Sequence, residues 1–330
     1  MKLSILDQAP ISSGYSPRDA LEASARLAQA GERLGYTRYW IAEHHDLSGL
    51  ACSAPEIMLS YIGSKTEKIR IGAGAILLPH YKPYKIAELF NMLATLFPNR
   101  IDLGIGRAPG GSAEATMALS DNFLEGVRKM PETVKELLHF LNKDFPKNHM
   151  FSRISASPVP KIRPEPWILG TSCKSAVMAA ENGAAYAFGQ FMSEKDGEEI
   201  IREYRENFKA RGSLQKPKVI LTVSAICAET AEEAKELALS SMLWRLKTDK
   251  GEGNQGIPSI EEAKSYFLNV NQDPFTKKSS LIIGNPTEVA QELRDMQDRY
   301  QADEIMIVTI VHRYEARLRS YELIAKEVLS

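Results

Sequence analysis

Residues 99–111 read Asn99-Arg100-Ile101-Asp102-Leu103-Gly104-Ile105-Gly106-Arg107-Ala108-Pro109-Gly110-Gly111. The first half alternates as a strand does, with Ile101, Leu103 and Ile105 on one side and Asp102 and two glycines on the other. The second half cannot continue it, because Pro109 lacks an amide donor and Gly110-Gly111 are free to take positive φ. The strand is expected to open into a loop of exposed amides with Arg107 at its mouth, which suits a phosphate or carboxylate. A plain strand and turn, with Arg107 solvated or paired to a carboxylate, accounts for the same residues. The surrounding chain decides between the two.

Outward from this stretch, strands alternate with helices. Before it lie apolar runs at 2–7, 36–42 and 69–78, the last unusually rich in small residues (Gly72, Ala73, Gly74, Ala75). Ser16-Pro17 caps and opens a helix that Gly35 stops, Ala54-Pro55 opens a second, and a third covers 83–97. After it, strands are expected at 167–170, 184–189, 219–227 and 304–310, with helices at 172–182, 194–211, 229–244 and 315–328. Eight β/α units predict a closed TIM (β/α)8 barrel, with residues 1–330 as one domain. Two regions break the repeat. Residues 149–160 read as a small extended excursion, and 247–280 as an insertion between strands seven and eight around a helix at 260–269. That insertion is either a lid over the barrel mouth or an exposed decoration.

A formal charge of −1 gives no reason to expect nucleic acid or an acidic membrane as partner. Cys52, Cys173 and Cys227 are far apart without CxxC spacing, as free thiols in a reducing cytoplasm would be. No apolar run reaches the length of a membrane span. A cytoplasmic protein is expected.

In such a barrel chemistry sits at the C-terminal ends of the strands. Four of the six histidines fall there: His44, His45, His80 and His312. Adjacent His44 and His45 point to opposite sides of a regular strand, and no third ligand stands at metal spacing, so no metal is expected. Either one of the pair faces the cavity as an acid–base or hydrogen-bonding group, or both are structural with Glu43 as partner. For an anion, Gly106-Arg107 faces the helix start at 170–175, where free amides and two hydroxyls point at the strand ends. The rival start at 284–287 is explained by Asn285 as cap and Pro286 in the first turn.

Glu43-His44-His45, the run 71–79 and the run 104–110 together resemble the bacterial luciferase-like flavin monooxygenases, nearly over the full length. The helix start at 172–175 and the closing segment 308–312 agree with the luciferase-like oxidoreductase branch of that family. The resemblance implies a TIM barrel, usually dimeric, that binds reduced FMN at the C-terminal mouth and uses molecular oxygen. Carried over by residue, it implies that Arg107, Ser172 and Ser175 hold the FMN phosphate. It implies further that Ala73, Gly74 and Ala75 back the ring, with a non-proline cis peptide at Gly74–Ala75, and that His44 is the catalytic histidine. Thr171 stands where luciferase has an acidic residue and Gly106 where it has cysteine, which speaks against light emission and an aldehyde substrate.

The leading expectation is an FMN-dependent monooxygenase that receives reduced flavin from a separate flavin reductase, since no second GxGxxG fingerprint is present. One alternative is deazaflavin-dependent hydride transfer on the same fold. Another is a flavin-binding protein without catalysis. Tyr81, Phe191, Trp244 and Phe267 are candidates for a substrate pocket or for core packing. The helices at 55–63 and 83–97 are the expected place for a homodimer interface.

Overall fold

Short apolar runs buried along almost their whole length form the strands, as a sheet covered on both faces requires. The computed structural model describes residues 1–193, 195–212, 214–251, 256–276 and 280–329. Its strands are β1 Leu3–Asp7, β2 Arg38–Ile41, β3 Arg70–Leu77, β4 Ile101–Gly106, β5 Glu165–Gly170, β6 Ala185–Gly189, β7 Val219–Cys227, β8 Leu281–Gly284 and β9 Glu304–Val308. From β1 to β7 each pairs in parallel with the next, and β9 pairs with both β7 and β1. Eight strands therefore close into the expected barrel.

The ninth strand was not legible as one. β8 pairs with Ser224–Cys227, beyond the Ile220–Ser224 segment of β7 that pairs with β9. It thus lies beside the barrel rather than in it. Its four residues end where the Asn285 cap begins, so only the helix start stands out in the sequence.

The helices follow their caps. Ser16 and Asp19 form a capping box around Pro17, and Gly35 closes that helix at φ 86°. The helix expected at 194–211 is shorter, Glu198–Glu206, and Glu194 lies outside the described residues. The one expected at 229–244 runs on to Asp249. Between β4 and β5 the chain forms three helices, Ala113–Leu119, Phe123–Arg128 and Met130–Asn142. Residues 149–160 are irregular turns, with a cis peptide at Ser157–Pro158. Among the described residues no helix is long and apolar enough to cross a membrane.

Two layers fill the barrel and leave its C-terminal mouth open. At the strand starts Arg38 donates to Asp102 at 2.7 Å and to Glu304 at 2.8 Å, all three being buried. Above them sits an apolar plug of Leu6, Trp40, Trp167, Ala185, Ala187, Ile220, Met306 and Val308. Within it the Trp40 and Trp167 rings meet edge to face at 5.4 Å.

The expected insertion docks on the loop after β1. Ile257 is fully buried, exchanging backbone hydrogen bonds with Ile11 at 2.8 Å and Ser13 at 2.9 Å. Helix Ile260–Asn269 packs Ala263 and Phe267 against Leu243. Residues 252–255 and 277–279 of this segment lie outside the described residues.

Candidate functional site

A cavity of about 340 Å³ opens at the C-terminal ends of the strands, within the size range of small-molecule sites. Leu6, Leu77, Leu169, Phe191 and Met192 give it apolar walls, while Gln8, His44, Arg107, Thr171 and Thr222 bring polar side chains.

One wall is β3. Gly74 and Ala75 line it, and the peptide between them is cis, as the family resemblance implied. A Cβ on Gly74 would lie 2.8 Å from Leu6 Cδ1 and 3.1 Å from Trp40 Cβ, so glycine lets this wall seat directly on the plug. The register of β3 on β4 shifts between Ala73 and Ile76. Ala73 itself does not line the cavity. Strand alternation turns it outward into the core between barrel and helices, fully buried, so it is removed from the expected ring platform.

Past β2 the chain leaves the strand at Ala42 and bends at His45, and the histidine pair separates. His44 lines the cavity, and its Nδ1 is buried without a hydrogen-bond partner. Burial, then the nearby His45, lowers its pKa from the ordinary 6.5 to about 4, so the imidazole is neutral at neutral pH. His45 faces the other way, with Nε2 2.8 Å from Glu43 Oε1. Glu43 also accepts from the Tyr81 hydroxyl at 2.6 Å and the Leu77 amide at 3.0 Å. The other rim histidines are each tied to a backbone carbonyl, His80 with its Nδ1 buried and unpartnered. His80 Nε2 bonds the Pro109 carbonyl at 2.9 Å, and His312 Nε2 the Ser13 carbonyl at 3.0 Å.

Across the mouth, Arg107 is exposed and its Nη2 reaches Ser172 Oγ at 3.4 Å. Ser172 caps helix Cys173–Glu181, whose first amides face this end. A guanidinium, a hydroxyl and a helix N-terminus therefore converge. Ser175 does not join them as expected. Its buried hydroxyl donates to the Ser172 carbonyl at 2.7 Å and meets Tyr186 Oη at 3.1 Å, so it positions the cap rather than facing an anion.

Gly110 takes the positive φ expected of it, 75°, and with Gly111 it also serves close packing. The Gly110 carbonyl accepts from the His45 amide at 2.8 Å. A Cβ on Gly110 would overlap the Leu77 side chain, and one on Gly111 the His45 carbonyl oxygen. The glycines let this loop lie flat against the strand end that carries His44.

Of the aromatic pocket candidates only Phe191 lines the cavity. Tyr81 is tied to Glu43, Phe267 belongs to a satellite core, and Trp244 packs near Gly49. No described residue of 247–280 lines the cavity. Thr222 lies inside β7, and its one signal in the sequence is a hydroxyl in the otherwise apolar run Val219-Ile220-Leu221-Thr222-Val223. Among the described residues no three His, Cys, Asp or Glu side chains gather as a metal site.

Fold and mouth together place the chain in a class. It belongs to the luciferase-like monooxygenase family, whose model matches residues 1–302. It is 43% identical over 326 residues to the uncharacterized protein YceB of Bacillus subtilis (strain 168), covering 98% of both chains. It is 36% identical over 335 residues to the N-acetyl-S-alkylcysteine monooxygenase of the same organism, covering 100% of this chain and 99% of that one. The solved structure of apo-MsnO8 superposes with a TM-score of 0.92 at 34% identity, covering 99% and 98%. At lower identity the same fold carries different cofactors. The oxygenating constituent of 3,6-diketocamphane monooxygenase from Pseudomonas putida, in complex with FMN, has a TM-score of 0.74 at 18% identity, covering 99% and 97%. An F420-dependent secondary alcohol dehydrogenase has a TM-score of 0.71 at 15%, covering 99% of both chains.

Proposed function

We propose that this chain is an FMN-dependent monooxygenase that uses reduced flavin and O2 to oxygenate a small organic substrate. The observation that carries the reading is the convergence of Arg107 and Ser172 at one end of a cavity whose wall is Gly74–Ala75 and whose unpartnered polar atom is His44 Nδ1. The residues fit the group. Arg107, Ser172 and the helix N-terminus behind it hold the phosphate, and Gly74 and Ala75 give a flat wall for the ring. Reduced FMN supplies the two electrons with which one oxygen atom enters the substrate and the other leaves as water. His44, neutral at neutral pH, offers a hydrogen bond or takes a proton at Nδ1 but does not arrive as a charged acid. The apolar side chains around it exclude water.

A separate reductase is taken to supply the reduced flavin. The name of the Bacillus subtilis relative makes an N-acetyl-S-alkylcysteine, and thioethers generally, the first substrates to try. A cytoplasmic home fits the free thiols Cys52, Cys173 and Cys227. The exposed side chains Ile57, Met92 and Leu96 on helices Pro55–Gly63 and Pro83–Leu96 are the face we assign to a second copy.

The test photoreduces FMN in the presence of the protein, admits oxygen, and assays a panel of thioethers, ketones and amines for oxygenated product. Product that requires the protein supports the reading. If FMN binds no tighter than millimolar while a deazaflavin binds well, the reading falls to hydride transfer on the same fold. Tight FMN binding with no product on any substrate leaves a flavin carrier in its place.

A further inference from the structure

Glu43 lies one residue from His44, with its side chain fully buried and its two oxygens taking three donors. His45 Nε2 stands at 2.8 Å, the Tyr81 hydroxyl at 2.6 Å and the Leu77 amide at 3.0 Å. These donors come from three places: the run after β2, the loop before helix Pro83–Leu96, and the end of β3. The carboxylate therefore joins the strand end that carries His44 to the wall that carries Gly74 and Ala75. Backbone bonds complete the clamp, from the His44 amide to the Cys52 carbonyl at 2.9 Å and from the His45 amide to the Gly110 carbonyl at 2.8 Å.

The His44 ring, by contrast, makes no hydrogen bond to a described residue, and its Nδ1 is buried and unpartnered. Its place in the cavity is set by what holds residues 43 and 45. We propose that Glu43 is the positioning residue for His44: through His45, Tyr81 and the Leu77 amide, its carboxylate sets where the imidazole stands. The inference rests on the flavin reading for its consequence in turnover, while the clamp itself belongs to the protein without cofactor.

The surroundings hold this carboxylate in place. Among the described residues no lysine or arginine pairs with it, so its hydrogen-bond donors carry the compensation. Glu56, on helix Pro55–Gly63, faces the same cluster; burial raises its pKa and the Glu43 charge adds to that. Cys52 is pushed up to about 12, mainly by burial, with Asp7, Glu43 and Glu56 adding. The His80 ring stands 6.0 Å from that of His45. Substitution by glutamine keeps the shape but turns an NH2 group toward one of the three donors, and a buried donor left unpaired opens the clamp.

The experiment uses the full chain, labelled with ¹⁵N-histidine and free of flavin, titrated by NMR. In the wild type His45 should show a single tautomer with its proton on Nε2, and His44 should titrate far below an ordinary histidine. In Glu43→Gln the His45 tautomers should mix, and the His44 titration should rise by about one unit or more as the ring leaves its buried place. Tyr81→Phe removes one donor and keeps the carboxylate, so it should move His44 in the same direction by less. With FMN loaded, product formed per reduced FMN should fall about tenfold in Glu43→Gln while the FMN Kd stays within about threefold. Unchanged His44 titration and product yield in the folded variants would overturn the proposal, leaving Glu43 an inert staple. If Glu43→Gln does not fold, Tyr81→Phe decides alone. If wild-type protein binds no FMN, the flavin reading fails while the histidine titrations still judge the clamp.

Discussion

The side chain at the centre of the site, His44, titrates out of its usual range because of where it sits. Burial holds it near 4 against the ordinary 6.5. As pH falls, the unfolded chain binds a proton through 6.5 while the folded one does not until about 4. Stability from this group is therefore fully present above 6.5, is lost between 6.5 and 4, and is level below that. In His44→Gln that part of the profile should flatten, measured as urea midpoints against pH. A slope identical to the wild type would remove His44 as its source. Arg107 offers a second test, because only FMN and not riboflavin carries a phosphate. Loss of a charge-assisted hydrogen bond is worth about 1.5–3 kcal/mol, so Arg107→Ala should weaken FMN roughly tenfold to a hundredfold and leave riboflavin nearly unchanged. Equal losses for both would remove Arg107 from the phosphate site. At this scale the sequence was legible in placement: Arg107 does meet Ser172 across the mouth, and His44 lines the cavity while His45 does not. It was not legible for Ser175, because a capping box and an anion site use the same residue types, and only the 2.7 Å bond to the Ser172 carbonyl tells them apart.

Strands and their contacts form the next scale, and the glycines of β3 and β4 show what pairing demands there. A Cβ on Gly104 would overlap the Ala73 carbonyl oxygen, and one on Gly72 would lie 2.6 Å from Asp102 Cβ. The Gly104 clash falls at Ala73, where the β3–β4 register begins to shift, while Gly72 is paired in register with Asp102. Neither partner can rotate away, so Gly104→Ala should destabilise by about 3 kcal/mol or more, at the upper end for overpacking. Chemical denaturation would check it, and a cost below about 1 kcal/mol would mean that the strands move apart freely. The barrel strands could be read from their apolar runs because burial on both faces leaves an unbroken signal. β8 could not, since it is four residues long and pairs beside the barrel. Helix Glu198–Glu206 was overextended for the opposite reason: its amphipathic pattern continues into the loop at 207–211 after the helical hydrogen bonds have stopped.

Across the whole molecule, the two ends of the barrel do different work. The closed end holds Arg38 between Asp102 and Glu304, with Arg70 also donating to Asp102 and the Arg38 guanidinium 4.8 Å from the Trp167 ring. Burial alone would raise the Asp102 pKa, but Arg38 and Arg70 outweigh it and hold it below 3.8. Arg38→Met leaves buried Glu304 without its cation and Asp102 with Arg70 alone, and should cost about 3–5 kcal/mol, read as a lower urea midpoint, with part of the loss recovered at acid pH as Asp102 protonates. The open end needs walls that stay put, and the helices behind β2 and β3 supply them. Those helices do not bury all their apolar side chains within one chain. Ile57 is 67% exposed, Leu96 59% and Met92 49%, on adjacent helices, of which Pro55–Gly63 packs on β2 and β3 and Pro83–Leu96 on β4. We assign these side chains, on two neighbouring helices, to an association surface. A second copy seated there would also steady the Glu43 clamp, since Tyr81 lies just before helix Pro83–Leu96 and Glu56 lies in helix Pro55–Gly63. The wild type should run as a dimer by light scattering at micromolar concentration, and the pair Met92→Glu with Leu96→Glu should shift it to monomer without loss of helix content. A wild-type monomer, or a dimer that survives both charges, would place the interface elsewhere.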